Sequence, residues 1–414
     1  MLFVITTNNM SLAMSTSLLY HAFNIKGVEY RSTDFLGNAI IFCVEMTDKF
    51  TPCPRCRKRL VIFKGQKNRS FKMGPIGRKH AILNVLLHRL KCVGCNNLWW
   101  PQLSFMDGKH RYTRSFALTV LDLMRFGTIK DVANYLHVGW DVVKDIHKSK
   151  LQRLYKRMPI HKIKYLGIDE FSLRKGHNYM TIFIDLQTGR LVHAVEGRSE
   201  NDIQPFLKKV ARKAHKLQAV AMDMSRSYSS AVTKIIPHVD IVFDRYHIMA
   251  LMNKAIEKLR REQQKELDGD EQKALKGCRF LLLGNYKSLS DKHQVKLDIL
   301  LEINKPLFAI HSMKEQLRIL WSQPDREQGA QFLKQWCFDA LAAGPKPLIK
   351  VGLTLIKHMN GILNYFPHRI TSGAVEGTVN KIKTLKRQAY GFRDMDYFKL
   401  RLYHLHRQGY SLTG

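Results

Sequence analysis

Short apolar runs bounded by polar and turn-forming residues fill the middle of the chain, and their spacing predicts strands. Lys164 to Asp169 is the first, Asn178 to Asp185 the second and Arg190 to Val195 the third. Leu186-Gln187-Thr188-Gly189, between the last two, is a tight hairpin signal. Asn201 to Ala214 then carries apolar residues at helical spacing. Gln218 to Asp223 returns as a strand, Ser225 to Ile235 as a helix, and Val239 to Asp244 as a fifth strand. The runs that close on Asp169 and Asp223 read as buried strands, each delivering a carboxylate to the edge of a sheet.

Three antiparallel strands followed by helix-linked strands is the order of an α/β, ribonuclease-H-like catalytic domain, although fold alone does not give function. Upstream lies a three-helix pattern. Ser115 to Phe126 repeats Phe116, Leu118, Leu121 and Met124. Gly127 breaks it, and Thr128 is placed to cap a second helix, Ile129 to Leu136. His137 to Asp141 is a short turn containing Gly139, and a third helix runs from Val142 to about Tyr155. Helix, short turn and helix is the helix-turn-helix pattern, with Ala133 small enough for close packing and Lys144, Lys148, Lys150 and Arg153 on the recognition helix. From Arg245 to about Lys350 the chain is helical and highly charged. Breaks are expected at Asp268-Gly269-Asp270 and Pro345-Lys346-Pro347, with Trp321 and Trp336 as core anchors. A last helix is expected from Thr371 or Ser372 to about Gln388.

Charge narrows the partner. The chain has 68 basic against 34 acidic side chains, a formal balance of +34, spread along its whole length. Such a surplus attracts a polyanion through counterion release and long-range steering, which points to nucleic acid. No apolar stretch approaches a membrane span, and the first residues lack the basic region and cleavage site of a secretory signal, so a cytoplasmic protein with no membrane partner is expected. Met10 and Met14 stand as alternative starts.

Seven cysteines are present. Cys43, Cys278 and Cys337 stand alone in apolar surroundings and read as packing residues. The others form two CxxC knuckles, Cys53/Cys56 and Cys92/Cys95, which together complete a tetrahedral Zn²⁺ site of the structural kind. Their spacer is longer than in a usual zinc ribbon, so a hairpin or two must be folded into it, with Ile82 to Leu87 supplying one strand. Arg55 and Arg57, with Lys58 and Arg59, crowd the first knuckle and suggest that it faces phosphates.

Phosphodiester chemistry with two Mg²⁺ ions about 4 Å apart needs carboxylates from separate places in the chain. Asp169 and Asp223 fit two positions, and Glu376, in the first turn of the last helix, fits the third. Lys381, Lys383, Lys386 and Arg387 then form a basic face suited to DNA. Glu170 adjoins Asp169, but strand alternation points it to the opposite face. Asp185 is expected in a turn. Asp244 is open between an auxiliary metal ligand and a DNA contact, and His247 reads as a structural histidine.

The chain resembles a DDE transposase of the ISL-three insertion-sequence family from Cys53 to about Tyr403. The likeness is carried by the CxxC pairs, the helix-turn-helix, Gly167-Ile168-Asp169-Glu170-Phe171, Ala221-Met222-Asp223-Met224-Ser225, Asp244-Arg245-Tyr246-His247, Asn380-Lys381-Ile382-Lys383 and Tyr390-Gly391-Phe392-Arg393, in that order. The resemblance implies that Asp169, Asp223 and Glu376 are the catalytic triad and magnesium ligands. It also implies double-stranded DNA partners (the element's terminal inverted repeats and target DNA), strand cleavage and joining, and a homodimer or larger synaptic complex. The organisation expected is an N-terminal segment (1–50), a zinc-binding module (51–105), a helix-turn-helix domain (112–158) and a catalytic domain (161–410) with a helical insertion at about 250–350. A zinc and helix-turn-helix regulator without catalysis, or a structure-specific nuclease, would share parts of this pattern.

Overall fold

The computed structural model describes residues 17–406 except 47–50, 175, 177, 267, 268, 270, 271, 273, 274, 276, 372 and 390. Met10, Met14, Asp268, Asp270, Ser372 and Tyr390, each named in the sequence reading, lie outside the described residues. The chain divides into two compact units, the first ending at Leu154 and the second spanning Tyr155–Arg407.

The first unit opens with a short helix, α1 (Leu18–Phe23), and a sheet of β1 (Val28–Leu36), β2 (Ala39–Met46), β3 (Val61–Ile76), β4 (Lys79–Cys92) and β5 (Leu98–Trp99). The order is β1-β2-β4-β3, with β5 on β4. In β4 the buried positions alternate as Ala81, Leu83, Val85 and Leu87, which puts one face against Phe42, Val44, Phe71, Phe105 and Met106. The long spacer between the CxxC pairs is therefore one extended antiparallel hairpin, β3–β4, turned at Gly77 with φ 58°. Within the described residues before 51, β2 pairs in parallel with β4, so β1 and β2 belong to the sheet that carries the second knuckle.

The helices that follow are α2 (Arg114–Leu123), α3 (Ile129–Leu136) and α4 (Trp140–Leu154). Thr128 caps α3 as expected: its hydroxyl accepts from the Asp131 N–H, and the Asp131 carboxylate accepts from the Thr128 N–H. His137, in the left-handed conformation at φ 49°, ends α3. Phe116, Val120, Val132, Ala133, Leu136, Val143 and Ile146 close the core between the three helices. The bundle is tied to the sheet within this unit, where Lys72 Nζ donates to the His137 carbonyl at 2.5 Å.

The second unit holds a five-stranded sheet: β6 (Tyr165–Arg174), β7 (Asn178–Asp185), β8 (Arg190–Glu196), β9 (Ala219–Met222) and β10 (Asp240–Phe243). Its order is β10-β9-β6-β7-β8; β6, β7 and β8 form an antiparallel meander, while β9 runs parallel to β6 and β10 parallel to β9. Helices α5 (Glu200–Lys213) and α6 (Arg226–Ile235) supply the parallel crossovers. Asp185 is a turn residue, accepting from the Gln187 N–H and the Thr188 hydroxyl.

From β10 the chain enters α7 (Arg245–Glu266), followed by α8 (Arg279–Leu283), α9 (Asp291–Ile303), α10 (Lys305–Ile319), α11 (Arg326–Ala343), α12 (Lys346–Lys357), α13 (Met359–Leu363) and α14 (Tyr365–His368). This helical stretch runs further than 350, because Lys346 and Pro347 open α12 rather than extend the break at Gly344-Pro345. Trp321 and Trp336 are buried anchors, as expected, and the Trp336 indole donates to the Met313 carbonyl. The helical layer shares one continuous core with Leu166, Ile168, Phe183, Val220 and Met222 on one face of the sheet. The opposite face, with Phe171, Met180, Ile182 and Ile184, is covered by α15 (Gly373–Gln388) and α16 (Met395–His404). Cys278 and Cys337 are buried packing residues, but Cys43 is only partly buried and its thiol points at Asp34.

Candidate functional site

Strand pairing brings three aspartates into one row. Gly167 pairs with Ala221 and Phe243 with Met222, so Asp169, Asp223 and Asp244 fall at equivalent positions on β6, β9 and β10. Asp169 does not end its strand. The parallel pairing with β9 stops at Gly167, but β6 continues to Arg174 against β7 alone, and Asp169 sits opposite Ile182. The carboxylate therefore stands where β9 gives out, in a position held by backbone hydrogen bonds on its other edge.

Alternation decides which way each side chain of β6 points. Gly167, Asp169 and Phe171 project toward α15, while Leu166, Ile168 and Glu170 project toward α6. Glu170 is occupied there: it accepts from the Tyr228 hydroxyl at 2.6 Å and lies 3.7 Å from Arg198. Burial and then that hydrogen bond hold the Tyr228 phenol well above its usual pKa, so it remains a donor.

On α15, Val375, Val379 and Ile382 are buried against the sheet, and the adjacent stripe Glu376, Asn380 and Lys383 is exposed. The result is a cavity of about 210 Å³ whose lining includes Asp169, Glu170, Asp223, Asp244, His247, Glu376 and Lys383. The close approach of α15 depends on Gly167, where an added Cβ would come within 2.8 Å of both Val375 and Leu186. Neither Gly167 in this role nor Asn380 and Tyr228 emerges from strand or helix periodicity alone. Asn380 could have been found by its i+4 relation to Glu376.

Backbone groups fix one oxygen of each aspartate. Asp169 Oδ1 accepts from the Glu170 N–H at 2.7 Å, Asp223 Oδ1 from the Ser225 N–H at 3.0 Å, and Asp244 Oδ1 from the Tyr246 N–H at 3.1 Å. Asp244 Oδ2 meets His247 Nδ1 at 3.0 Å, so Asp244 and His247 act as a pair. Asp169 Oδ2 and Asp223 Oδ2 have no hydrogen-bond partner among the described residues and stay available. Burial raises the Asp169 carboxyl from 3.8 to about 6. Glu170 and Asp223 push the same way, while the Glu170 N–H and His247 oppose it. The His247 imidazole is raised by its bond to Asp244, against the effect of burial. A buried carboxyl facing further carboxylates is a donor set that a hard divalent cation would satisfy.

The four cysteines converge more tightly. Cys53 Sγ lies 3.5 Å from Cys95 Sγ, Cys56 Sγ lies 3.4 Å from Cys92 Sγ, and all four lie within 4.8 Å of one another. Tetrahedral Zn–S bonds of 2.3 Å require sulfurs about 3.8 Å apart, so the set fits Zn²⁺ with little adjustment. Both knuckles close alike: the Arg57 N–H donates to the Cys53 carbonyl and the Asn96 N–H to the Cys92 carbonyl, each from a residue with φ near 60°. Among the described residues this is the one group of three or more His, Cys, Asp or Glu drawn so close. The carboxylates of the cleft line a wider space.

The basic side chains expected to meet DNA are placed as follows. Arg55 and Arg57 are exposed on the first knuckle. Lys144 and Lys148 are half-exposed on α4, with Lys144 above the Trp140 ring. On α15, Lys381, Lys383 and Arg387 are exposed and Lys383 lines the cleft, whereas Lys386 is half-buried and donates to the Ser172 carbonyl.

Comparison with known proteins agrees with both units. A family model described as a transposase matches residues 166–402, and one described as the helix-turn-helix domain of transposase family ISL3 matches residues 101–148. The transposase for insertion sequence element IS1001 of Bordetella parapertussis is 29% identical over 370 residues, 88% of this chain and 91% of that protein. The transposase for IS1557 of Mycobacterium tuberculosis is 24% identical over 63% of this chain and 64% of its own length. The Drosophila P element transposase strand transfer complex aligns with 73% of this chain and 93% of that one at 10% identity, with a TM-score of 0.44, too slight a likeness to weigh. The first of these models alone spans more than half of the chain, and the chain belongs to transposase family ISL3.

Proposed function

We propose that this transposase cuts DNA at the terminal inverted repeats of its own insertion sequence and joins the freed ends to target DNA. The reading is carried by one observation: Asp169, Asp223 and Glu376, from two strands and a distant helix, line one cleft. The ribonuclease-H-like assignment is supported by an antiparallel meander extended by two parallel strands, with helices on both faces. Asp169, Asp223 and Glu376 would hold two Mg²⁺ ions, which when bound activate the attacking oxygen and steady the leaving one. The chain's own part is to present the free oxygens of Asp169 and Asp223 toward Glu376, and to place Lys383 against phosphate. In the first step a water oxygen bonds to phosphorus while the bond to the 3′ oxygen breaks and that oxygen takes up a proton. In the second, the oxygen of the freed 3′-hydroxyl bonds to a target phosphorus as it loses its proton, while the bond from that phosphorus to the target 3′ oxygen breaks and that oxygen takes up a proton.

Zn²⁺ on Cys53, Cys56, Cys92 and Cys95 would hold the two ends of the β3–β4 hairpin together. Arg55, Arg57, Lys144 and Lys148 in the first unit, and Lys381, Lys383 and Arg387 in the second, are assigned to phosphate contact. Pairing of two ends calls for a dimer or larger assembly. A regulator without catalysis would have no use for the cleft. The test is an end-labelled duplex from the DNA flanking this reading frame, incubated with protein and Mg²⁺. Cutting at the repeat ends that disappears in Asp223→Ala supports the reading; cutting that survives in Asp223→Ala, or that follows DNA shape at any sequence, overturns it.

A further inference from the structure

Helix α7 leaves the catalytic cleft directly. It begins one residue after Asp244, and His247 in its first turn lines the cleft. Seven residues on stands Lys254, followed by Lys258, Arg261 and Lys265. At 100° per residue, all five fall within a stripe about 60° wide on one helix face. The opposite face, with Ile248, Met252, Ile256 and Leu259, is buried in the core. The four cations are exposed. They are not merely a solvated face. With Arg279 from α8 they line a concave groove of about 400 Å³, flanked by Glu257 and Glu262.

The carboxylates neutralise only part of this charge. Glu257 is held at a pKa of about 2, chiefly by its bond to Arg260, and also pairs with Arg261 and, at 3.7 Å, with Arg279. Lys258 reaches Glu262 at 3.8 Å, while Lys254 and Lys265 make no ion pair among the described residues. The arginines are thus held by Glu257, and Lys254 and Lys265 are left as exposed donors. From His247 to Lys265 the stripe covers about 27 Å at 1.5 Å per residue. That length matches about eight base pairs of duplex at 3.4 Å each.

We propose that α7 is a phosphate track that carries the DNA backbone out of the catalytic cleft, a role that rests on the reading of the cleft as a DNA-cutting site. The track would fix the direction of the duplex relative to Asp169 and Asp223 without reading its sequence.

The test uses the full chain and a fluorescent duplex from the flanking DNA, extending about ten base pairs on both sides of the cut site, with binding followed by anisotropy across a salt series. The double variant Lys254→Ser/Lys258→Ser should bind about tenfold more weakly, and the slope of log K against log salt should fall by nearly two, at about 0.9 per lost phosphate contact. Lys254→Arg/Lys258→Arg should restore the slope. Removing about eight base pairs from one side, and not the other, should erase the difference between variant and wild type. An unchanged slope in a double variant that melts like wild type overturns the track, as does a difference that survives shortening from either side. Cleavage of the same duplex by wild type in Mg²⁺ separates the two claims. Cutting with an unchanged slope in the variant sinks only the track; no binding or cutting by wild type sinks both.

Discussion

Gly167 and Val375 are far apart in the chain, yet a Cβ on Gly167 would lie 2.8 Å from the Val375 side chain. That contact sets the distance between β6, which bears Asp169, and α15, which bears Glu376. Gly167→Ala would force the helix outward or Val375 off its rotamer, at about 1–3 kcal/mol for overpacking. The melting temperature should fall by a few degrees. Displacing the carboxylate by a fraction of an ångström up to about 1 Å can cost about a hundredfold in rate. Strand cleavage should therefore fall far more than DNA binding, and loss of both together would show that the contact serves stability alone.

Asp169 makes a stability prediction with a definite sign. Its folded pKa, about 6, exceeds its ordinary value of 3.8, so the folded state holds the proton more tightly. Between these two values stability should fall as pH rises, by up to about 3 kcal/mol at 1.36 kcal/mol per unit. Asp169→Asn should therefore melt higher than wild type at pH 7 without divalent ions, while losing strand cleavage. Mg²⁺ should stabilise wild type more than the variant. Melting curves at pH 4 and pH 7, with and without Mg²⁺, check all three.

The thiol cluster predicts zinc. Wild type should carry about one Zn²⁺ per chain, and Cys92→Ser should lose it. Because Val61 of β3 pairs with Cys92 at the end of β4, loss of the metal should fray that end of the hairpin and weaken end binding. Metal analysis beside a binding assay gives the answer. Unchanged zinc content in Cys92→Ser would remove the site.

Glu170 and Tyr228 offer a control close to the chemistry. The Tyr228 hydroxyl donates to Glu170, which lines the same cavity as Glu376 but turns toward α6. Tyr228→Phe removes that donor from a partly buried carboxylate, at about 1–3 kcal/mol. Cleavage at saturating Mg²⁺ should stay within about tenfold of wild type. A complete loss would mean that Glu170, and not only Asp169, works on the reacting phosphate.

Much of this was legible in the residues alone. Thr128 followed by Asp131 announces a capped helix because the partners are three residues apart. Alternation along β6 separates Asp169 from Glu170, and two CxxC knuckles announce their ligands by spacing. Other features were not legible. Strands β1 and β2 join the sheet of the second knuckle, and α16 follows α15 where no further helix was expected. The apolar run ending at Asp169 looked like the end of a strand, because Glu170, Ser172 and Arg174 interrupt it with polar side chains; β6 continues through them on its pairing with β7.

By itself the sequence determined the local elements, the face each side chain takes and the family, since hydrogen-bonding periodicity and capping act over a few residues. Tertiary structure alone decided that Asp244 joins the row of Asp169 and Asp223, and that Gly167 admits the helix of Glu376. Those relations arise from strand pairing and packing between segments distant in the chain, where no local pattern carries the register.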